Sequence, residues 1–410
     1  MEGQLTDSVV TMSPPKVGID PAPMFVAVEA TRMLREVRGI GRYVRALLPR
    51  LVALRPGLRL ALFVKAQRDV ESLAALLANM PGLPGRVDIR LVGEMSECAA
   101  DVFWYPWNNA TPAPTRGAVV TTVHDVVPIA HPDPRWRGWY KNLRWRRRYA
   151  AIARRATLIV ADSQFTADEI HRTLDVPRDR MRVALLAADD FATPPRARDS
   201  AALARLGITT PFVLAVGAAE RRKNLGLLAR AMPRVIAAHP GVTLVLAGPR
   251  RDAQVPVGDV AWSRTLGFVS DEELAALYRE AAVFVMPSTY EGFGLPVLEA
   301  MRLGTPVICA RGSSLPEVAG DAALWVDGDD DSDLAHKISQ LLSDHELAAK
   351  MRTASRQQAA RFSWDDTARA TIAAFEEAIQ LVTLKTTEFT GAPSPHPAGQ
   401  SMPSMPAVAS

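Results

Sequence analysis

Cysteine is nearly absent from this 410-residue chain: Cys98 and Cys309 are the only two, and they lack the spacing of a metal site. No disulfide framework can be built from them, and so low a thiol content fits a reducing compartment. Long apolar runs are missing as well, since none reaches the ~18 residues needed to span a bilayer. The amino end has no basic stretch followed by an apolar one, so no secretory signal is visible. There is no strong excess of one charge either. With 48 Lys and Arg against 44 Asp and Glu, the net charge of +4 is too mild to imply nucleic acid as a partner. A nucleophile elbow and a cysteine nucleophile with its histidine are lacking too. The acidic run 327–333 is not a calcium loop, because Ser332 and Ile338 stand where Gly and Glu are required. Asp at a helix start explains that run better, and catalysis is expected to need no metal.

What is present is an ordinary globular composition, 48% hydrophobic and 22% charged, in a chain long enough for two cores. Residues 1–22 read as a loose leader. Strand and helix signals then alternate. Strands are predicted at 24–30, 58–64, 86–92, 101–105, 118–123, 157–161 and 182–186. Helices are predicted after Gly41, at 70–77, 135–155 and 164–173. A polar, proline-bearing stretch at 188–200 suggests a linker. The alternation restarts with strands at 212–216, 242–247, 264–266, 283–286, 307–310 and 323–326, followed by helices at 333–342, 346–361 and 364–381. Two such runs imply an α/β fold of two doubly wound domains facing a cleft. The expected domains are 23–190 and 200–362, with a disordered tail over 383–410, where Pro, Ser, Ala and Thr dominate.

Glu291 and Glu299 flank a glycine turn and a helix start in the string Tyr-Glu-Gly-Phe-Gly-Leu-Pro-Val-Leu-Glu-Ala, residues 290–300. Gly292 and Gly294 allow a sharp bend and a close approach to a ligand. Pro296 suits the first helical position. The free amides at such a start favour an anion, and Glu299, one turn in, leans back toward it. Glu291 alone also suits a solvated loop. The whole string resembles the Glu-x7-Glu motif of the retaining GT-B glycosyltransferases of family 4, which move a sugar from a nucleotide-sugar to an acceptor.

Further segments carry the same resemblance. Gly217 closes a predicted strand and precedes Arg221, Arg222, Lys223 and Asn224. Asn224 reads as the N-cap of the next helix. Two cations there sit against a helix dipole unless an anion offsets them. The family's matching Arg and Lys hold the donor diphosphate. Gly39 and Gly41 lie in Gly-Ile-Gly-Arg-Tyr, residues 39–43, which is no dinucleotide fingerprint because Val44 stands at the third glycine. It resembles the family loop that approaches the donor phosphates. His124 follows a strand, and the resemblance puts it near the donor sugar, as a hydroxyl partner and not a base. Asp125 either orients the imidazole or caps a turn. Ser270 and Glu273 form a capping box, and near it Phe268 and Val269 are the expected nucleobase contacts.

The resemblance thus implies Glu291, Arg222, Lys223 and His124 as catalytic residues. Gly39, Gly41, Gly217, Phe268, Val269, Gly292, Phe293, Gly294, Leu295 and Glu299 would bind the donor. The variants present look most like bacterial polysaccharide mannosyl- and rhamnosyltransferases, which favours GDP-mannose as donor over a UDP-sugar. No cofactor beyond that co-substrate is expected. A GT-B epimerase or a non-catalytic sugar-nucleotide-binding module are the other readings. The expected acceptor is a polyprenyl-diphosphate-linked saccharide or a growing polysaccharide. The stretch 135–155 holds nine basic residues, no acidic ones and five aromatics. A basic aromatic helix of that kind can lie in a membrane interface. The location expected is therefore cytoplasmic, peripheral on the inner face of the membrane.

Overall fold

The computed structural model describes residues 22–34, 36, 39–132, 138–189, 191, 199–217, 220–249 and 260–390, with the side chains of 385–390 excepted. The leader expected at 1–22 lies outside these residues except for Ala22, and so do Arg38 and the segment 133–137, which holds Arg135, Trp136 and Arg137.

Seven strands form the first sheet: β1 (Met24–Glu29), β2 (Leu58–Val64), β3 (Val87–Leu91), β4 (Val102–Tyr105), β5 (Ala118–Val123), β6 (Leu158–Ala161) and β7 (Met181–Val183). Six form the second: β8 (Phe212–Val216), β9 (Thr243–Ala247), β10 (Ser263–Gly267), β11 (Val283–Met286), β12 (Val307–Ala310) and β13 (Ala323–Val326). The spatial orders are β3-β2-β1-β4-β5-β6-β7 and β10-β9-β8-β11-β12-β13, with parallel pairing throughout these ladders. Parallel sheets are covered on both faces, which is why their strands are near-continuous apolar runs. Each order reverses once, at β1/β4 and at β8/β11, and α/β sheets bind ligands at such points, beyond the carboxyl ends of the strands.

The first sheet is covered by α1 (Ile40–Leu54), α2 (Gln67–Ala78), the short α3 (Val127–Ala130), α4 (Trp139–Arg155) and α5 (Gln164–Leu174). The second carries α6 (Asp199–Leu206), α7 (Leu225–Ala238), α8 (Asp271–Glu280), α9 (Leu295–Arg302), α10 (Leu315–Ala319), α11 (Asp331–Ser343) and α12 (His345–Ala359). The last helix, α13 (Trp364–Thr390), packs on the first domain. Trp364 stacks near Tyr43, Phe375 lies 5.6 Å from Trp104 between ring centres, and Arg55 and Arg182 pair with Glu376 and Glu377. This helix runs past the end expected at 381, so residues 383–390 are helical where a disordered tail was expected. Their polar side chains carry no apolar period, yet the backbone continues a helix already anchored by Trp364 and Phe375, and propagation costs far less than nucleation. Beyond them, 391–410 lie outside the described residues.

Candidate active site

Loop and helix at the carboxyl end of β11 bring the two glutamates into the cleft. Gly294, at φ 105°, is the N-cap of α9, and the helix starts at Leu295, which makes Pro296 its second residue and not its first. No proton donor is lost at either place, since both precede the first intrahelical amide bond. Ser314 shapes the loop by donating its hydroxyl to the carbonyls of Glu291 (2.9 Å) and Phe293 (2.8 Å). Among the described residues the amides of Gly292, Phe293 and Gly294 donate to nothing, which leaves them free for an anion.

Glu291 is buried rather than solvated, at 7% exposure. Lys223 Nζ donates to its Oε1 at 2.6 Å, and Arg222 Nη1 donates to Oε2 at 2.9 Å. Burial alone would raise the Glu291 carboxyl, but the charges of Lys223 and Arg222 and the hydrogen bond from Lys223 hold it below the usual carboxylate range. The anions that offset these two cations here are Glu291 itself and, for Arg222, also Glu220, whose Oε2 accepts from Nε at 3.0 Å. Both cations come from a single 3-10 turn, Arg221–Lys223, at the carboxyl end of β8. Asn224 stands in the N-cap position of α7, but its side chain makes no capping bond. Its backbone is left-handed, at φ 48°, which turns the amide away from the first turn of the helix. Gly217, at φ 133°, lets β8 end against β9, and a side chain at Gly248 would strike the Gly217 carbonyl at 2.2 Å.

Glu299 is also buried. Tyr278 donates its hydroxyl to Oε2 at 3.0 Å, and Arg42 reaches across from the first domain to Oε1 at 2.5 Å. Arg42 also lies 4.8 Å over the Phe191 ring. Beside it, between the domains, is a cavity of about 630 Å³ lined by Met33, Leu34, Arg42, Arg45, Phe191 and Asp271. A much smaller one, of about 20 Å³, lies at Gly217, Lys223 and Leu225. Space for a large ligand is thus found on the Arg42 and Asp271 side, while the Glu291 side is filled by its own ion pairs. Phe268 stands exposed at the end of β10, at 66%, whereas Val269 is buried and offers a ligand only its backbone. The box of Ser270 and Glu273 forms as expected.

Two first-domain expectations change. The ring nitrogens of His124 are both occupied: Nδ1 faces Asp162 Oδ2 at 2.7 Å, and Nε2 faces the Pro106 carbonyl at 2.9 Å. Neither is turned to a sugar hydroxyl, and the orienting carboxylate is Asp162, not Asp125. Asp125 caps a turn by accepting from the Val127 amide. In the Gly-Ile-Gly-Arg-Tyr loop, a side chain on Gly41 would lie 1.6 Å from the Glu36 carbonyl, so this glycine is required by packing within its own domain. Gly39, at φ 63°, has open space beside it.

The domains meet directly at this site. Ser163 and Thr166 hydroxyls both donate to the Gly292 carbonyl, at 2.6 and 2.9 Å. Glu317 accepts the amides of Gln164 and Phe165 at the start of α5. Tyr290 sits edge-on to His131 and Phe165. Sequence reasoning missed Asp162, Ser163, Tyr278, Ser314 and Glu317. Arg42 was within a quoted string but had no role, and only Ser163 carried a signal, that of a helix N-cap. Among the described residues no group of three or more His, Cys, Asp or Glu is placed to hold a metal ion.

Comparison with known proteins agrees with this geometry. The Glycosyltransferase Family 4 pattern matches residues 37–189, and the pattern for Glycosyl transferases group 1 matches residues 204–358. O-antigen chain mannosyltransferase B of Escherichia coli is 35% identical over 271 residues, which cover 63% of this chain and 70% of that protein. A serotype-specific mannosyltransferase WbdA of Escherichia coli is 29% identical over 279 residues, 64% of this chain, but this chain spans only 34% of its length. The crystal structure of Anabaena HepE in complex with UDP-glucose superposes with a TM-score of 0.65 over 88% of this chain and 100% of that one, at 17% identity, a likeness of fold. The chain belongs to the family 4 glycosyltransferases and has their GT-B fold.

Proposed function

We infer that the enzyme moves mannose from GDP-mannose, with retention of configuration and without a metal, to a lipid-linked saccharide or a growing polysaccharide. The observation that carries this reading is the convergence of Arg222 and Lys223, at 2.9 and 2.6 Å, on the carboxylate of the Glu-x7-Glu loop. Two cations from the turn after β8 and three unbonded amides at the start of α9, after β11, come together at the switch point of the second sheet. Such a site suits a diphosphate. As the bond from sugar to phosphate breaks, negative charge grows on the leaving diphosphate, and fixed cations and amides stabilise that charge without reorganising. Glu299 would hold the ribose hydroxyls in exchange for its present partners Arg42 and Tyr278. Mannose is favoured by the named activities of the relatives in Escherichia coli. The test is incubation of the purified protein with GDP-mannose and an undecaprenyl-diphosphate-linked mannosylated acceptor. An α-linked mannosyl product by NMR is expected. A β-linked product, or transfer only from UDP-sugars, would overturn the reading.

Helix α4 supports a place for the acceptor. Trp139 and Tyr140 are 62% and 65% exposed, and Lys141, Arg144, Arg146 and Arg147 are exposed beside them, while Tyr149 and Ile152 anchor the helix in the core. No helix among the described residues is long and apolar enough to cross a membrane. Two aromatics and four cations facing outward fit peripheral contact with an anionic lipid surface at the inner face of the cytoplasmic membrane, each cation adding about 1 kcal/mol.

A further inference from the structure

β5 and β6 are neighbours in the first sheet, with Val123 paired to Ala161. The next residue on each strand, His124 and Asp162, therefore leaves the carboxyl edge of the sheet side by side. β4 lies on the other side of β5, and the chain after it brings the Pro106 carbonyl to the far side of the ring. His124 is thus clamped between a carboxylate oxygen at 2.7 Å and a carbonyl oxygen at 2.9 Å. The carbonyl oxygen never donates a proton, and the carboxylate oxygen does not while Asp162 is ionised. A neutral imidazole has one N–H and one lone pair, so one of its two contacts would set lone pair against lone pair. Both contacts are satisfied only by the imidazolium.

We propose that Asp162 is a positioning residue that holds His124 as an imidazolium at neutral pH beneath the Glu291 loop, and that sugar transfer depends on this charge. The inference rests on the glycosyl-transfer reading above. The place of the charge is set by close packing: a side chain on Gly292 would lie 1.8 Å from the His124 carbonyl, so the second domain's loop rests directly on this residue. The charged and titratable groups around the ring are Asp162 from β6, Asp125 from its own loop and Tyr43 from α1, whose ring is edge-on at 5.0 Å. Glu291, with Arg222 and Lys223, lies beyond Gly292 on the second domain. Burial works against the charged ring. The charge of Asp162 and its hydrogen bond, joined by the Pro106 carbonyl and Asp125, outweigh burial and hold the His124 pKa above the ordinary imidazole value. The second carboxylate oxygen of Asp162, Oδ1, is buried with no partner. A carboxylate kept only for packing would not be left half satisfied at such a cost. Held in this way, His124 has no lone pair to accept a proton, and its charge, paired with Asp162, is a fixed dipole behind the Gly292 loop.

Nitrogen NMR on the full-length, histidine-labelled protein tests this directly, with the His124 signal assigned by its loss in His124→Gln. The expected result is two protonated ring nitrogens at pH 7.5 and a titration above that of the exposed histidines. A neutral tautomer at that pH, or a titration at or below the exposed residues, overturns the proposal, whatever the donor turns out to be. Asp162→Asn keeps an acceptor for Nδ1–H but removes the charge. It is expected to move the His124 titration and the alkaline limb of kcat together to lower pH, so that kcat at pH 8 falls about tenfold with little change in donor KM. Asp162→Glu is expected to restore both. A kcat limb that stays in place while the titration moves overturns the catalytic part. If Asp162→Asn does not fold, the wild-type signal alone decides the protonation. If no donor supports transfer, the proposed function fails while the imidazolium remains tested.

Discussion

Glu29 ends β1 with a carboxyl group that is 3% exposed, accepts from the Thr31 amide and hydroxyl at Oε1, and leaves Oε2 buried without a partner. Burial pushes its pKa up to about 7, against the smaller opposing effects of Thr31, Trp107 and Arg32. The folded state therefore binds more protons than the unfolded chain between pH 4.5 and about 7. Stability from this group is full below the unfolded pKa and is lost as pH rises through the folded one. Glu29→Gln removes the titration, so the variant is expected to gain about 3 kcal/mol on the wild type between pH 4.5 and pH 8. Equal differences in unfolding free energy at both pH values would show that Glu29 is not held neutral. Glu299, by contrast, is already met by Arg42 and Tyr278. Glu299→Ala is expected to weaken donor binding by about 1.5–3 kcal/mol, one charge-assisted hydrogen bond, and calorimetry with an unchanged Kd would refute a donor role for it.

Elements were legible where one physical signal dominated. The strands at 58–64, 118–123, 212–216, 283–286, 307–310 and 323–326 keep the bounds read from sequence, because a strand buried on both faces is a near-continuous apolar run. Helix α6 starts within the stretch read as linker and runs on to Leu206 through residues that were assigned no element, its start fixed by the ion pair of Asp199 with Arg279. The residue types of the candidate site were legible from motifs, but their partners were not. Arg42 and Glu299 are 257 residues apart, and Ser163 and Gly292 are 129 apart, so only the closure of two domains brings them together. The Gly292 loop is the element most exposed to that closure. Gly292→Ala is expected to force the domains apart, because its new methyl would meet the His124 carbonyl at 1.8 Å. Loss of most activity with a lower Tm should follow, while a fully active variant would show that the contact is not needed. For α4, Trp139→Ala with Tyr140→Ala is expected to reduce sedimentation with anionic liposomes at low salt. Equal binding of the wild type to neutral and anionic vesicles would exclude an anionic lipid surface recognised by the cations of α4, and no binding to either would exclude a lipid surface altogether.

At the scale of the whole molecule, two sheets with matching switch points face each other, and ion pairs and hydrogen bonds join them. Arg42 spans to Glu299, Glu317 caps α5, and Glu291 holds Arg222 and Lys223 of the β8 turn. The central claim is that this turn stabilises charge on a leaving diphosphate. The most direct measurement is steady-state kinetics of Arg222→Gln and Lys223→Gln with GDP-mannose, after circular dichroism has established that both fold. Glutamine keeps a polar amide on a shorter side chain and removes the charge. The account predicts that kcat falls about 100-fold in each, with a much smaller change in donor KM, because the interaction is stronger in the transition state than in the ground state. An unchanged kcat with only KM raised would contradict it, and would make these two residues a binding clamp with no part in the chemical step.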